Sequence, residues 1–175
     1  MAAAVPQPGV GVVWAAGEYR LVATRVFVAG ERMFHMEGEP ARRPTRYTVQ
    51  IDEDLHLEIV PGTTDEEIFD RYFWRFMNHS CEPNAFIQGR DVFALREIAP
   101  GEGVTFNYNT TEYNIAEPFD CRCGSVHCLG TIRGFKHLPE SKRRRLEPFL
   151  ARHLRSHLRV SGPGALAPLG RAGGR

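Results

Sequence analysis

The sequence predicts a mainly β fold of several small twisted sheets, with short helices and a helical C-terminal segment. Three observations carry this. Residues 19–60 hold the runs YRLVATRVFVAG, RMFHME and RYTVQID, rich in Val, Phe, Tyr and Thr and punctuated by Gly30, Gly38, Pro40 and Pro44, which is the texture of short strands. AFIQGRDVFALREIAPGEGVTFNY repeats that texture in three pieces over 85–108, broken at 89–91 and at Pro100–Gly103. Helical periodicity is confined to two places.

The first is TTDEEIFDRYFWRF, where Thr64 and Glu67 have the spacing of a capping box and Asp65 and Glu66 occupy the first turn. It predicts a helix running to about Phe76. The second is 139–160, where Leu146, Phe149, Leu150, Leu154 and Leu158 form one apolar stripe, with Pro148 expected to kink or restart the helix. Residues 161–175 are Gly, Ala and Pro without periodicity and are expected to be a disordered tail.

A chain of 175 residues, 42% apolar and 25% charged, is long enough for one domain with a core. Its 22 basic and 21 acidic residues leave a net charge of +1, so no global field draws it to nucleic acid or an anionic membrane. No apolar run approaches the roughly 18 residues that cross a bilayer, and no membrane partner is expected. Residues 1–17 read as an N-terminal extension without a basic start, broken by Pro6, Pro8, Gly9 and Gly11. A reducing, intracellular location is therefore expected: cytoplasm in a bacterium, nucleus or cytoplasm in a eukaryote.

Charge is unevenly placed. Eight acids lie between Asp52 and Asp70 without a Lys or Arg, while 133–159 is rich in Lys and Arg against Glu140 and Glu147 alone. Each cluster reads first as a solvated face. The functional alternatives are an acidic surface that attracts a basic peptide, and a weak nucleic-acid or import patch at Lys142–Arg145.

Cys121, Cys123 and Cys128 place three thiols within eight residues, short enough to wrap one tetrahedral zinc, which takes four N or S ligands in structural sites. The fourth ligand is either Cys81 or His127. A ligand from a distant loop adds a cross-link that a local knuckle lacks, which favours Cys81. Two disulfides fit the number of thiols but not the expected compartment.

Arg75-Phe76-Met77-Asn78-His79-Ser80-Cys81-Glu82-Pro83-Asn84-Ala85, then Gly101-Glu102-Gly103-Val104-Thr105-Phe106-Asn107-Tyr108, then the cysteine cluster, resemble in order and spacing the SET-domain protein lysine methyltransferase family with its post-SET zinc module. The resemblance covers roughly 19–138. It implies a SET domain over 18–115 and a zinc module over 116–138, with a near-knot that brings Asn78, His79 and Tyr108 together. It further implies S-adenosylmethionine as cofactor, contacted by Arg20, Leu21, Arg75, Asn78 and His79. Tyr108 matches the catalytic tyrosine, and Tyr47 resembles an earlier tyrosine of the same channel. Phe106, lacking a hydroxyl, leaves room around the amine and leans toward di- or trimethylation. The implied substrate is a lysine on a basic protein or peptide, and the implied zinc is structural. The family's opening Gly-x-Gly is replaced here by Glu18-Tyr19-Arg20, which motivates one alternative, a catalytically weak or inactive module that binds a peptide or protein partner; a second alternative keeps the enzyme but makes the acceptor a small-molecule or peptide amine.

Such a transfer is an in-line displacement that needs a neutral amine, whereas a free lysine has a pKa of about 10.4. A dry channel beside a positive sulfur disfavours the ammonium. Tyrosine hydroxyls can then orient the amine without a covalent step.

Overall fold

The structure, a computed structural model, describes residues 9–158. The expected tail 161–175 and residues 1–8 lie outside these. Strands β1 (Val10–Ala15) and β2 (Glu18–Ala23) form a hairpin through Ala16 and Gly17, both at positive φ, the backbone a two-residue hairpin turn demands. Part of the expected N-terminal extension is thus β1, paired along its whole length with β2.

β3 (Arg32–His35), β8 (Ala85–Gln88) and β9 (Asp91–Ala94) make a three-stranded antiparallel sheet in the order β3-β9-β8. A second is made by β4 (Glu39–Ala41), β5 (Val49–Asp52) and β6 (Leu55–Glu58), in the order β4-β6-β5. Their inner faces, with Leu21, Phe27, Met36, Leu57, Trp74 and Ile87, enclose the main core. The strand-rich, small-sheet fold predicted from the sequence is the fold observed.

Two further pairs matter for the site. β7 (Asn78–His79) runs parallel to β10 (Thr105–Phe106), with Asn78 opposite Thr105 and His79 opposite Phe106. Asn84, buried, locks this pairing: its amide nitrogen donates to Gly103 O at 2.8 Å, and its oxygen accepts the Thr105 N–H at 2.9 Å. β11 (Phe119–Asp120) pairs with β12 (Thr131–Ile132) around the cysteine loop.

Three elements differ from expectation. α1 (Asp65–Asp70) starts on the predicted capping box but ends before Tyr72, and residues Phe73–Phe76 form a separate 3-10 turn. The reason is burial: Tyr72 and Trp74 both enter the core, and positions two apart cannot share one helical face. The Trp74 ring N–H also donates to Glu37 O at 2.9 Å. Tyr47, read as part of a strand, lies in the turn before β5. The C-terminal stripe is broken into α2 (Glu140–Leu146) and two 3-10 segments, because Pro148 has no N–H and Leu150 is extended. Its burial is as the stripe implies: Leu150 and Leu154 pack with Phe135 in a second small core. Among the described residues no helix is long and apolar enough to cross a membrane.

Candidate active site and metal centre

β7, β10, the start of β2 and the turn before β5 border one cavity of about 820 Å³. Arg20, Leu21, Tyr47, Arg75, Asn78, His79, Phe106 and Tyr108, every residue expected to contact cofactor or substrate, line it. The parallel β7–β10 pair accounts for the convergence, since it sets the segments around Asn78 and Tyr108 side by side. No residue of the acidic stretch 52–70 lines the cavity.

The Tyr108 hydroxyl donates to Met77 O at 2.9 Å. Its ring is boxed by Phe106, His79 and Phe119, with centroids at 4.7, 5.2 and 5.8 Å. Burial, reinforced by the carboxylates of Glu112 and Glu18, pushes the phenol above its ordinary value, so it stays a neutral hydrogen-bonding group. Tyr47 is 52% exposed at the rim. The Arg75 guanidinium lies over its ring at 4.4 Å and that of Arg46 at 5.2 Å.

The Glu18 side chain stands where the family pattern has glycine. Its Oε1 accepts from Arg20 Nε at 3.0 Å and from Asn78 Nδ2 at 3.2 Å. Asn78 Nδ2 also faces the carbonyl of Tyr19 at 3.4 Å. Leu21 is buried in the core just behind.

The four cysteines meet. Their sulfurs all lie within 4.8 Å of one another, and Cys81 Sγ is 3.9 Å from Cys121 Sγ. Tetrahedral zinc with bonds of about 2.3 Å sets its sulfurs about 3.8 Å apart, so this donor set fits that ion. Cys81, not His127, completes the set. The Leu129 backbone N–H points at Cys81 Sγ at 3.3 Å, the contact a bound thiolate needs. Burial pushes the Cys81 and Cys121 thiols up, Cys121 to about 11. At Cys123 the burial penalty is outweighed by backbone hydrogen bonds and its thiol falls to about 7. The cluster ties β11 and the cysteine loop to the segment after β7, which carries Phe119 to the Tyr108 ring.

Three groups at the site escaped the sequence reading. Phe119, two residues before Cys121, carried a signal in that spacing. Glu112 is buried and accepts the Gln50 N–H at 2.7 Å, while Gln50 Oε1 accepts the Tyr113 N–H at 2.8 Å. These bonds fix the chain after Tyr108 to β5, and partners 62 and 63 positions apart leave no local signal.

Comparison with known proteins agrees with this geometry. The SET domain family model matches residues 18–109. The chain is 33% identical over 131 residues to a histone-lysine N-methyltransferase, H3 lysine-36 specific, of Yarrowia lipolytica, covering 66% of this chain and 17% of that protein. It is 41% identical over 107 residues to a protein of the same description in Aspergillus oryzae, covering 56% and 11%. Histone-lysine N-methyltransferase ash1 of Drosophila melanogaster is 43% identical over 68 residues, covering 34% and 3%. The chain thus spans less than a fifth of the length of these relatives. Among solved structures, KRYPTONITE in complex with mCHH DNA, H3(1-15) peptide and SAH superposes with a TM-score of 0.53 at 24% identity, over 69% of this chain and 28% of that one. That likeness shows a shared fold. With 18–109 matched and the motif segments converging on one cavity, the chain belongs to the SET-domain family.

Proposed function

We propose that this protein is an S-adenosylmethionine-dependent N-methyltransferase acting on lysine side chains of a basic protein. The observation that carries this is the Tyr108 hydroxyl, fixed by Met77 O and enclosed by Phe106 and Phe119, in the same cavity as Asn78 and Tyr47. When bound, S-adenosylmethionine supplies an electrophilic methyl on a positive sulfur. Asn78, Arg75, Arg20 and Leu21 bind it, and the Tyr108 oxygen orients the incoming amine. The aromatic walls exclude water and so favour the neutral amine. Tyr47, held by Arg75 and Arg46, borders the entry for the lysine.

The four cysteines hold a structural zinc that fixes residues 116–138 as a module against the SET domain at 18–115. Two of the relatives named above are described as H3 lysine-36 specific, so a histone tail is the first substrate to test; a histone substrate goes with a nuclear location in a eukaryote, and in a bacterium a cytoplasmic basic protein takes that role. The basic run 133–159 offers a weak contact for nucleic acid, and Phe106 favours di- or trimethylated products.

The test is incubation of the full chain with methyl-labelled S-adenosylmethionine and core histones, other basic proteins and free amines, read by mass spectrometry. Label on lysine in the wild type and none with Tyr108→Phe supports the reading. Label on free amines alone makes it a small-amine methyltransferase. No label and no calorimetric binding of S-adenosylmethionine makes it a binding module, the reading that the replaced Gly-x-Gly motivates.

A further inference from the structure

We propose that Glu18 and Arg20 form a clamp for the zwitterionic amino-acid end of the methyl donor, with Glu18 selecting donors that carry a free α-ammonium. The inference rests on reading the cavity as an S-adenosylmethionine site. It concerns the positions where this chain departs from its family.

The placement follows from strand geometry. Glu18 and Arg20 are two apart on β2 and share a face, and both line the cavity. Tyr19 turns the other way, onto Trp14, Phe69 and Phe76, with centroids at 4.8, 5.2 and 5.4 Å. That aromatic packing holds β2 with the charged pair at the mouth of the cavity, where the Arg20 and Glu18 side chains remain 42% and 53% exposed.

The chemistry of the corner is matched to an amino acid. An ammonium has three N–H donors. Two acceptors lie side by side here, the Glu18 carboxylate and the Tyr19 carbonyl, 3.2 and 3.4 Å from Asn78 Nδ2. Glu18 and Arg20 form an ion pair at 2.9 Å. An α-ammonium and α-carboxylate sit on one carbon, so the two charges of the ligand meet the two charges of the pair head to tail. Arg75 adds a second cation to the same cavity. Two glycines would offer an ammonium only backbone acceptors. A carboxylate adds charge, and hydrogen bonds to charged groups are the strong ones.

The spacing along the chain is also right. Met77, whose carbonyl accepts from the Tyr108 hydroxyl, and Asn78, whose side-chain amide donates to Glu18, are consecutive, about 3.8 Å apart at Cα. In the donor two methylenes separate the reacting sulfur from the α-carbon. One end of this cavity therefore serves the methyl and the neighbouring end serves the amino acid.

The test is calorimetry on the full chain with S-adenosylhomocysteine, its desamino analogue and 5′-methylthioadenosine, which lacks the amino acid altogether. Wild type is expected to bind S-adenosylhomocysteine at least about tenfold more tightly than the desamino analogue, the scale of a charged hydrogen bond. Glu18→Gln and Glu18→Gly are expected to bring that ratio toward one. Equal binding of the three ligands by wild type overturns this proposal while leaving the cavity as the donor site. So does Glu18→Gly that tightens S-adenosylhomocysteine and keeps the ratio, which would make the carboxylate a plug. Binding of none of the three removes both this proposal and the donor site it rests on.

Discussion

The backbone N–H of Tyr108 donates to Nδ1 of His79 at 3.1 Å, and the other ring nitrogen of His79 lies 3.3 Å from Cys81 Sγ. Since Nδ1 accepts, a neutral ring carries its proton on Nε2, facing the sulfur. Burial keeps the ring neutral by lowering its pKa to about 4. A ligand of the cysteine cluster thus holds, through one imidazole, the residue that carries the cavity's hydroxyl. His79 touches the cavity, but its two nitrogens are committed to the protein.

Metal removal should therefore be felt at two places. Strong chelation, or Cys123→Ser, is expected to speed amide exchange and proteolysis over 119–138, and also to raise exchange at the Tyr108 amide. Zinc-site binding energy is folding energy for the loop that carries it. Protection that stays intact across 119–138 after metal loss would count against a structural ion.

Tyr108→Phe removes one hydroxyl and keeps a ring that Phe106, Phe119 and His79 can still pack. Turnover is expected to fall about 100-fold or more, the scale of losing one preorganised polar group at a reacting centre. Affinity for S-adenosylhomocysteine should change little, because Asn78 and Arg75 are untouched. Measured kcat and calorimetry separate the two, and turnover at the wild-type rate would remove Tyr108 from the mechanism.

Phe106 is buried 4.7 Å from the Tyr108 ring. Phe106→Tyr puts a hydroxyl where none is solvated, at a cost of about 1–3 kcal/mol unless it finds a partner, and a water held there narrows the room around the amine. The expected result is a shift in mass-spectrometric products toward fewer methyl groups per lysine. An unchanged distribution would show that Phe106 does not set the degree.

What the sequence made legible was whatever depends on local patterns: strand texture, the Thr64–Glu67 capping box, and the motif segments with their cysteines. Tyr47 fell in a turn because strand propensity marks a region, not the residue where pairing begins. The helix end at Asp70 depended on where Tyr72 and Trp74 had to go, which is decided by the core. Glu18 is the instructive case: the departure from Gly-x-Gly was visible as a loss of glycine, but the bonds its carboxylate makes with Arg20 and Asn78 follow from β2 lying beside β7.

Gly134 illustrates the same non-local control and gives a stability prediction. It sits at φ +106°, and a Cβ there would meet Tyr113 O at 2.7 Å and Asn114 Cα at 2.8 Å. Backbone bonds on either side, Ile115 N–H to Arg133 O and Phe135 N–H to Glu112 O, hold the two chains that close. Gly134→Ala is expected to cost roughly 1–3 kcal/mol and to lower the midpoint of denaturant unfolding. An unchanged midpoint would mean the two segments separate easily.

Glu112 makes stability depend on pH in a defined direction. Burial raises its carboxyl to about 7, against the Gln50 N–H and the Thr111 hydroxyl, which favour the ionised form. Its folded pKa therefore exceeds its unfolded one, so the contribution is fully present below about pH 4.3 and is lost as pH rises through about 7. The amount is of order 4 kcal/mol at most. His56, whose Nε2 lies 3.9 Å from Glu112, and His153 run the other way, because burial lowers both and stability falls as they take protons in acid. Glu112→Gln keeps an oxygen for the Gln50 N–H and cannot ionise, leaving the histidine slope alone. The melting temperature of wild type minus variant should thus decline between about pH 4.5 and 7.5 and then level. A difference that stays flat across that range would mean the carboxyl ionises as freely folded as unfolded.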